Sequence, residues 1–332
     1  MKSIEEGNKD AGFHRKRGSS GESAGQLLDK IVVNESICCK VIAVIVSWTV
    51  GEVKISRILE FESRAAPESL YPGMRPELVN PHRHWLEPVH LDPANGMLIT
   101  SHQSFLIQTN SHVLLVDTST GNDKTRPQKP WYHMKNWPFI ENLAAIGYQP
   151  DDIDVVLFTH MHLDHVGCNT RLVNNCWVPT FPKARYLFVR EEWDHWRIRE
   201  LRDRYTTDPF FEDSILPVID SDLVDFVAID HVVNDQVALV PSPGHTPGHV
   251  CVHVRSAGAE AVIGGDIAHT ALQYAQPEFN SCFCIDGELA RRTRRNFLET
   301  YAERPVLIIN SHFPTAGWIR RQGDAFKFDS LS

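Results

Sequence analysis

Thr159-His160-Met161-His162-Leu163-Asp164-His165-Val166-Gly167 follows directly on the apolar run Asp154-Val155-Val156-Leu157-Phe158, and its reading decides the fold. His160, His162, Asp164 and His165 all fall within six residues. On an extended chain His160 and His162 face the same way, and Asp164 and His165 follow as the backbone turns. Four such groups gathered in a protein interior must be compensated, because buried polar atoms without partners are costly. A divalent cation supplies that compensation. The competing reading is a polar, solvent-facing loop, but an H-x-H-x-D-H spacing is far more specific than a lone pair of histidines.

Three further pieces lie downstream. In Pro243-Gly244-His245-Thr246-Pro247-Gly248-His249, glycines flank a histidine and allow special backbone angles. Alone this is an ordinary turn; beside the first motif it supplies a ligand candidate. His245, in the tight turn after an apolar strand, is preferred over His249, which begins the next strand. Ile263-Gly264-Gly265-Asp266 ends a strand in a carboxylate, a pattern that is also a common turn. Ile309-Asn310-Ser311-His312 again ends a strand in a histidine. Nitrogen and carboxylate donors without cysteine suit Zn²⁺ and tolerate Mn²⁺, Fe²⁺ or Co²⁺. Cys168, close to the first motif, reads as a packing residue.

The rest of the chain frames these pieces. Its 332 residues can bury a sizeable core, and 42% apolar with 23% charged residues is ordinary for a globular enzyme. A net charge of −9 argues against a nucleic-acid partner, which calls for a Lys/Arg excess. Seven scattered cysteines without a CxxC pair read as reduced thiols of a cytoplasmic protein. No apolar run is long enough to span a membrane. The apolar stretch Ile37 to Val50 carries Lys40 and lies behind a long polar segment, so Val41–Val50 reads as a buried strand or an extension rather than an export signal.

Residues 1–35 are polar and read as a disordered extension, and residues 36–95 as an N-terminal strand and a Pro-rich arm. Residues 96–332 then form the catalytic domain, with its fold beginning near residue 54. Ser104–Gln108 and His112–Asp117 form a hairpin. Helices are expected over 136–146, 191–203 and 288–302. Short strands interleaved with a few helices predict an α/β fold with two mixed sheets and helices packed outside.

The four motifs, in this order over roughly residues 54–328, resemble the metallo-β-lactamase superfamily. The hairpin ending in Asp117 is similar to that family's early strand with its buried aspartate. The resemblance implies an αββα four-layer sandwich with two divalent metal ions at one edge of the sheets. It implies that His160, His162 and His245 hold one ion, that Asp164, His165 and His312 hold the other, and that Asp266 and a water or hydroxide bridge them. The stretches Gly265-Asp266-Ile267-Ala268-His269 and Asn310–Ile319 are similar to the group that includes methyl parathion hydrolase. Acyl-homoserine lactonases, a second related group, carry a tyrosine where this chain has His269. A glyoxalase II assignment lacks the basic glutathione-binding residues near the C-terminus.

The expected activity is hydrolysis of an ester or lactone bond of a small molecule, with the bridging hydroxide as nucleophile. Phosphotriester or β-lactam hydrolysis is the alternative within the fold. A metal-binding regulatory protein with incidental turnover is the alternative from another class. Asp164 would orient the nucleophile. His269 would donate a proton or bind the substrate oxyanion, unless it only packs behind a ligand. The basic run Arg291-Arg292-Thr293-Arg294-Arg295 reads as a solvated, ion-paired helix face, and Trp193 and Trp196 read as core. The Pro-rich arm is a candidate for capping the site or for a homodimer contact.

Overall fold

The computed structural model of the protein describes residues 31–33 and 45–331. Most of the extension expected over residues 1–35, and the start of the Val41–Val50 strand, lie outside the described residues. The strands in chain order are β1 (Ile31–Val33), β2 (Ser47–Val50), β3 (Val53–Ala65), β4 (Leu98–Gln108), β5 (Val113–Val116) and β6 (Val155–Leu157). A small hairpin, β7 (Thr170–Val173) and β8 (Cys176–Pro179), precedes β9 (Arg185–Val189) and β10 (Val224–Val227). Then come β11 (Val232–Asn234), β12 (Val237–Pro241), β13 (Val250–Ser256), β14 (Ala259–Ile263), β15 (Val306–Ile309), β16 (Gly317–Gln322) and β17 (Ala325–Ser330).

Two mixed sheets result. The first runs β1-β3-β4-β5-β6-β9-β10, with β2 also paired to β3; the second runs β11 through β17 in sequence order. The β5–β6, β6–β9, β9–β10 and β14–β15 pairings are parallel. Between the sheets lies one apolar layer, with Val53, Ile55, Phe105, Ile107, Leu114 and Val116 facing Val252, Val254, Ile263 and Ile309. Alternate residues of the same strands, Leu106 and Leu115 among them, point outward onto the helices Phe139–Ala145 and Arg190–Trp196. The outer face of the second sheet is covered by Leu272–Ala275 and Gly287–Tyr301. Helix, sheet, sheet, helix is the αββα sandwich.

Strand β3 shows how one strand serves two layers. Val53 and Ile55 enter the central layer, while Ile58 and Phe61 enter the outer one. Odd positions alone cannot do both in a period-2 strand. The register shift between Leu59 and Phe61 inserts one residue against β4 and turns Phe61 to the outer face. Phe61 then stacks on His102 of β4, with ring centroids 4.3 Å apart.

Three local expectations change. The single helix expected over 191–203 is two, Arg190–Trp196 and Arg199–Tyr205. The Pro-rich arm contains short helices at Pro67–Leu70, Pro76–Val79 and Arg83–Leu86, each of the first two opened by its proline, and it packs into the outer core of the second sheet. The basic run is not a uniformly solvated face. Arg292 and Arg295 do pair with Glu288 and Glu278, but Arg294 is buried and donates to the carbonyls of Ile267, Pro277 and Phe279. The helical period carries position 294 to the inward face, where main-chain acceptors replace water.

A second buried set of charges lies in the loop after β5. Arg126 donates to both oxygens of Asp213 at 2.6 and 2.8 Å. Lys124 is fully buried and donates to Thr170 Oγ1 at 2.6 Å and the Asp213 carbonyl at 3.1 Å, with its ammonium 3.6 Å over the Trp177 ring. These bonds tie the 122–138 loop to the helix Phe210–Ser214.

Candidate metal centre and cleft

The ligand motifs sit on loops leaving one edge of the two sheets, after β6, between β12 and β13, after β14 and after β15. The structure brings all seven expected donors to this edge. His245 Nε2 lies 3.2 Å from His160 Nε2, 2.9 Å from His162 Nδ1 and 3.3 Å from Asp266 Oδ2. The other oxygen, Asp266 Oδ1, faces His165 Nε2 at 3.5 Å and His312 Nε2 at 3.3 Å. Asp164 Oδ2 lies 3.6 Å from His312 Nε2. One carboxylate thus faces two donor groups, one oxygen to each.

The donor atoms fit cations. Ligands about 2.0–2.1 Å from a tetrahedral zinc stand roughly 3.3 Å apart, close to the spacings here. Asp266 Oδ1 and His165 Nε2, both facing the donor groups, are buried without a hydrogen-bond partner among the described residues. Buried polar atoms rarely stay unpaired. Burial and the neighbouring imidazoles hold His160 and His162 well below the usual histidine range, so both rings present neutral lone pairs.

The outer ring nitrogens of His160, His165, His245 and His312 meet protein groups. His165 Nδ1 donates to Asp117 Oδ2 at 2.9 Å, and His312 Nδ1 donates to the Ser101 carbonyl at 2.9 Å. Thr159 Oγ1 donates to Asp117, so His160 Nδ1 donates to that hydroxyl at 3.1 Å. His245 Nδ1 meets Cys284 Sγ at 3.5 Å. Such outer bonds fix each ring's tautomer and aim. Asp117 itself takes a left-handed φ of 57° while accepting from Thr159 N, His165 and Ser311. Local strain of this kind persists where the surroundings over-determine it.

His249 lies beside the donor groups rather than in them. Its Nε2 accepts from Asp266 N at 3.0 Å, and Nδ1 contacts Ser242. Gly265, at φ 55°, passes so close that a Cβ there would stand 2.7 Å from Thr159 Cβ and 2.8 Å from His249 Nε2. Only glycine fits, and this sets where Asp266 points.

Four residues that sequence reasoning missed complete the site. Glu192 accepts from Met161 N, Gly248 N and Trp196 Nε1, joining the first two motifs through one buried carboxylate. Trp196 is core, as expected, but also touches the His162 ring edge-on. His102 on β4 stands beside the second donor group, with Nδ1 3.8 Å from Asp164 Oδ2. Burial pushes it down to about 3. Its one sequence signal is the polar run Thr100-Ser101-His102-Gln103-Ser104 inside a buried strand. Tyr132 Oη donates to Asp164 Oδ2 at 3.3 Å, and Tyr205 stacks on His162 at 4.3 Å. Tyr132 comes from a loop and Tyr205 from the end of the helix Arg199–Tyr205, neither with a motif.

The donors open into a cleft. Its walls are Leu70, Trp131, Tyr132, Tyr205 and Phe283, with His269 and Lys129 as polar members. His269 Nε2 is 3.2 Å from Asp266 Oδ2, yet both its ring nitrogens lack a well-formed hydrogen bond. A nonpolar cleft with a few convergent polar groups suits a small molecule.

Residues 99–312 match the family model of the metallo-beta-lactamase superfamily. An N-acyl homoserine lactonase of Bacillus thuringiensis is 22% identical over 174 residues, 48% of this chain and 60% of its own. The N-acyl homoserine lactonase AttM of Rhizobium radiobacter is 24% identical over 188 residues, 53% of this chain and 64% of its own. The chain thus spans less than two thirds of the length of these curated relatives. Among solved structures, hydrolase AbOPH in the beta lactamase superfamily aligns with a TM-score of 0.71 at 22% identity, over 87% of this chain and 97% of that one. AidC, described as a dizinc quorum-quenching lactonase, aligns with a TM-score of 0.70 at 18% identity over the same shares, 87% and 97%. These structural likenesses speak for the fold, and the family match covers most of the chain together with every ligand motif: the chain belongs to the metallo-beta-lactamase superfamily.

Proposed function

We propose that the chain is a metal-dependent hydrolase that cleaves an ester or lactone bond of a small molecule at a site for two divalent cations, Zn²⁺ the first candidate. The observation that carries this reading is Asp266, whose two oxygens face two separate groups of buried histidine donors. In this reading His160, His162 and His245 hold one cation, and Asp164, His165 and His312 hold the other, with Asp266 shared. Bound there, the cations supply Lewis acidity at the substrate oxygen and bring the pKa of water toward neutrality.

The chain's own residues do the rest. Asp117, Ser101 and Thr159 hold the ligand rings in one orientation, so little rearrangement is needed during reaction. Asp164, fixed by Tyr132, accepts a hydrogen bond from the attacking water and orients it. His269, on the cleft wall with free ring nitrogens, donates to the substrate oxygen or the leaving group. Leu70, Phe283 and Trp131 exclude water from the organic part of the substrate. The five described cysteines are free, which favours a reducing, cytoplasmic setting.

The test is metal analysis of the purified protein with a panel of p-nitrophenyl esters, lactones, a paraoxon-type phosphotriester and nitrocefin. Close to two equivalents of metal and turnover of esters or lactones are expected. Turnover of the phosphotriester or nitrocefin alone would move the assignment to that chemistry. Metal-loaded protein inactive on all of them would favour a regulatory metal-binding role.

A further inference from the structure

Lys129 lines the cleft and is only 6% exposed. Its backbone is fixed on both sides, its N–H donating to Arg126 and its carbonyl accepting from Tyr132. Yet its ammonium has no hydrogen-bond acceptor and no carboxylate within ion-pair distance among the described residues. Among the described residues its close partner is the Tyr205 ring, 4.8 Å away, and that same ring stacks on His162. Burial pushes its pKa down, while Asp208 and Asp164 act to hold it up. A mostly buried lysine whose ammonium opens into a cleft and makes no hydrogen bond to a carboxylate is placed to meet an anion there.

Lys129, Tyr205 and Phe283 also line an outer groove that runs past Arg204. Arg204 is exposed and has no ion pair among the described residues. Both cations therefore lie along one path leading away from the donor groups, with apolar and aromatic walls between.

Building on the hydrolase reading, we propose that Lys129 sets specificity, and that the substrate is an ester or lactone whose organic arm carries a carboxylate. The arm lies against Tyr205 and Phe283, and its carboxylate accepts charge-assisted hydrogen bonds from the Lys129 ammonium.

Two measurements on the metal-loaded full chain test this. The first is calorimetric binding of an inert pair, adipic acid mono-N-methylamide and neutral hexanoic N-methylamide. The anion should bind at least about tenfold more weakly to Lys129→Met than to the wild type, and Lys129→Arg should retain most of the affinity. Equal anion affinity in wild type and Lys129→Met overturns the proposal. The second is the ratio of kcat/KM for the 4-nitrophenyl monoester of adipic acid to that for 4-nitrophenyl hexanoate. The ratio should fall roughly tenfold in Lys129→Met, and an unchanged ratio overturns the proposal. If neither ester is hydrolysed, the hydrolase reading fails while calorimetry still judges Lys129. Asp208→Asn is the counter-test: an anion affinity that changes as much there as in Lys129→Met would mean the two residues pair with each other, and the proposal falls.

Discussion

Lys124 and Lys129 are five residues apart in one loop, both nearly inaccessible to water, and they differ in what surrounds the ammonium. Lys124 has a hydroxyl, a carbonyl, an indole face and the Asp213–Arg126 pair around it. Lys129 has one tyrosine ring and an open cleft. The first arrangement holds the loop in place; the second leaves a charge ready for a guest. Burial alone therefore does not distinguish a structural charge from a functional one. Whether its partners are already present in the fold does.

Mutations can separate the two kinds of site, beginning where the effect is greatest. Asp266→Ala removes the carboxylate shared by both donor groups. Catalytic efficiency should fall by on the order of a thousandfold, equivalent to several kcal/mol, with metal content below that of the wild type. Steady-state kinetics and metal analysis check this, and the urea midpoint of the metal-free proteins should change far less. Asp213→Ala is the converse. It strands two buried cations and should cost about 3–5 kcal/mol in urea denaturation. A loss under 1 kcal/mol would mean that Lys124 and Arg126 find other partners, and the contrast with Lys129 would disappear.

Asp117→Asn keeps the shape of the outer bond to His165 but removes its charge. Metal affinity should fall about tenfold to a hundredfold in a chelator competition, with the fold retained. The smallest effect is a pH dependence. Burial pushes Lys124 from its ordinary 10.5 down to about 8. Between these values the unfolded chain holds a proton that the native state has released, so native stability rises with pH across that window. The stability of the wild type relative to Lys124→Met should gain on the order of 2 kcal/mol from pH 8 to pH 10.5. A flat difference would show that Asp213 and Thr170 compensate the buried charge in full.

Much of the sandwich was legible because its strands carry period-2 patterns, and because motifs of unusual composition end four of them. His160 and His162 could be singled out from spacing and residue type, and His245 and Asp266 only beside that first motif. His102 could not: one histidine in a strand carries no spacing, and its nearness to Asp164 depends on the bulge and pairing of β3 with β4. Glu192 was hidden for a similar reason, since its three donors come from positions 161, 196 and 248. Arg294 was misread because a run of like charges conceals which members face inward. Lys129 stands out only once the absence of neighbours can be seen, and absence leaves no trace in a linear sequence.

The bonds from Lys124 and Arg126 to Asp213 and Thr170 bear on how this cleft can be re-engineered. The loop that supplies Lys129, Trp131 and Tyr132 rests chiefly on Asp213, almost ninety positions further along the chain. Grafting that loop alone into a relative would leave two cations without their seats. A transplant of substrate preference has to carry the helix Phe210–Ser214 with it, so the two segments form one exchangeable cassette on a scaffold that otherwise stays fixed.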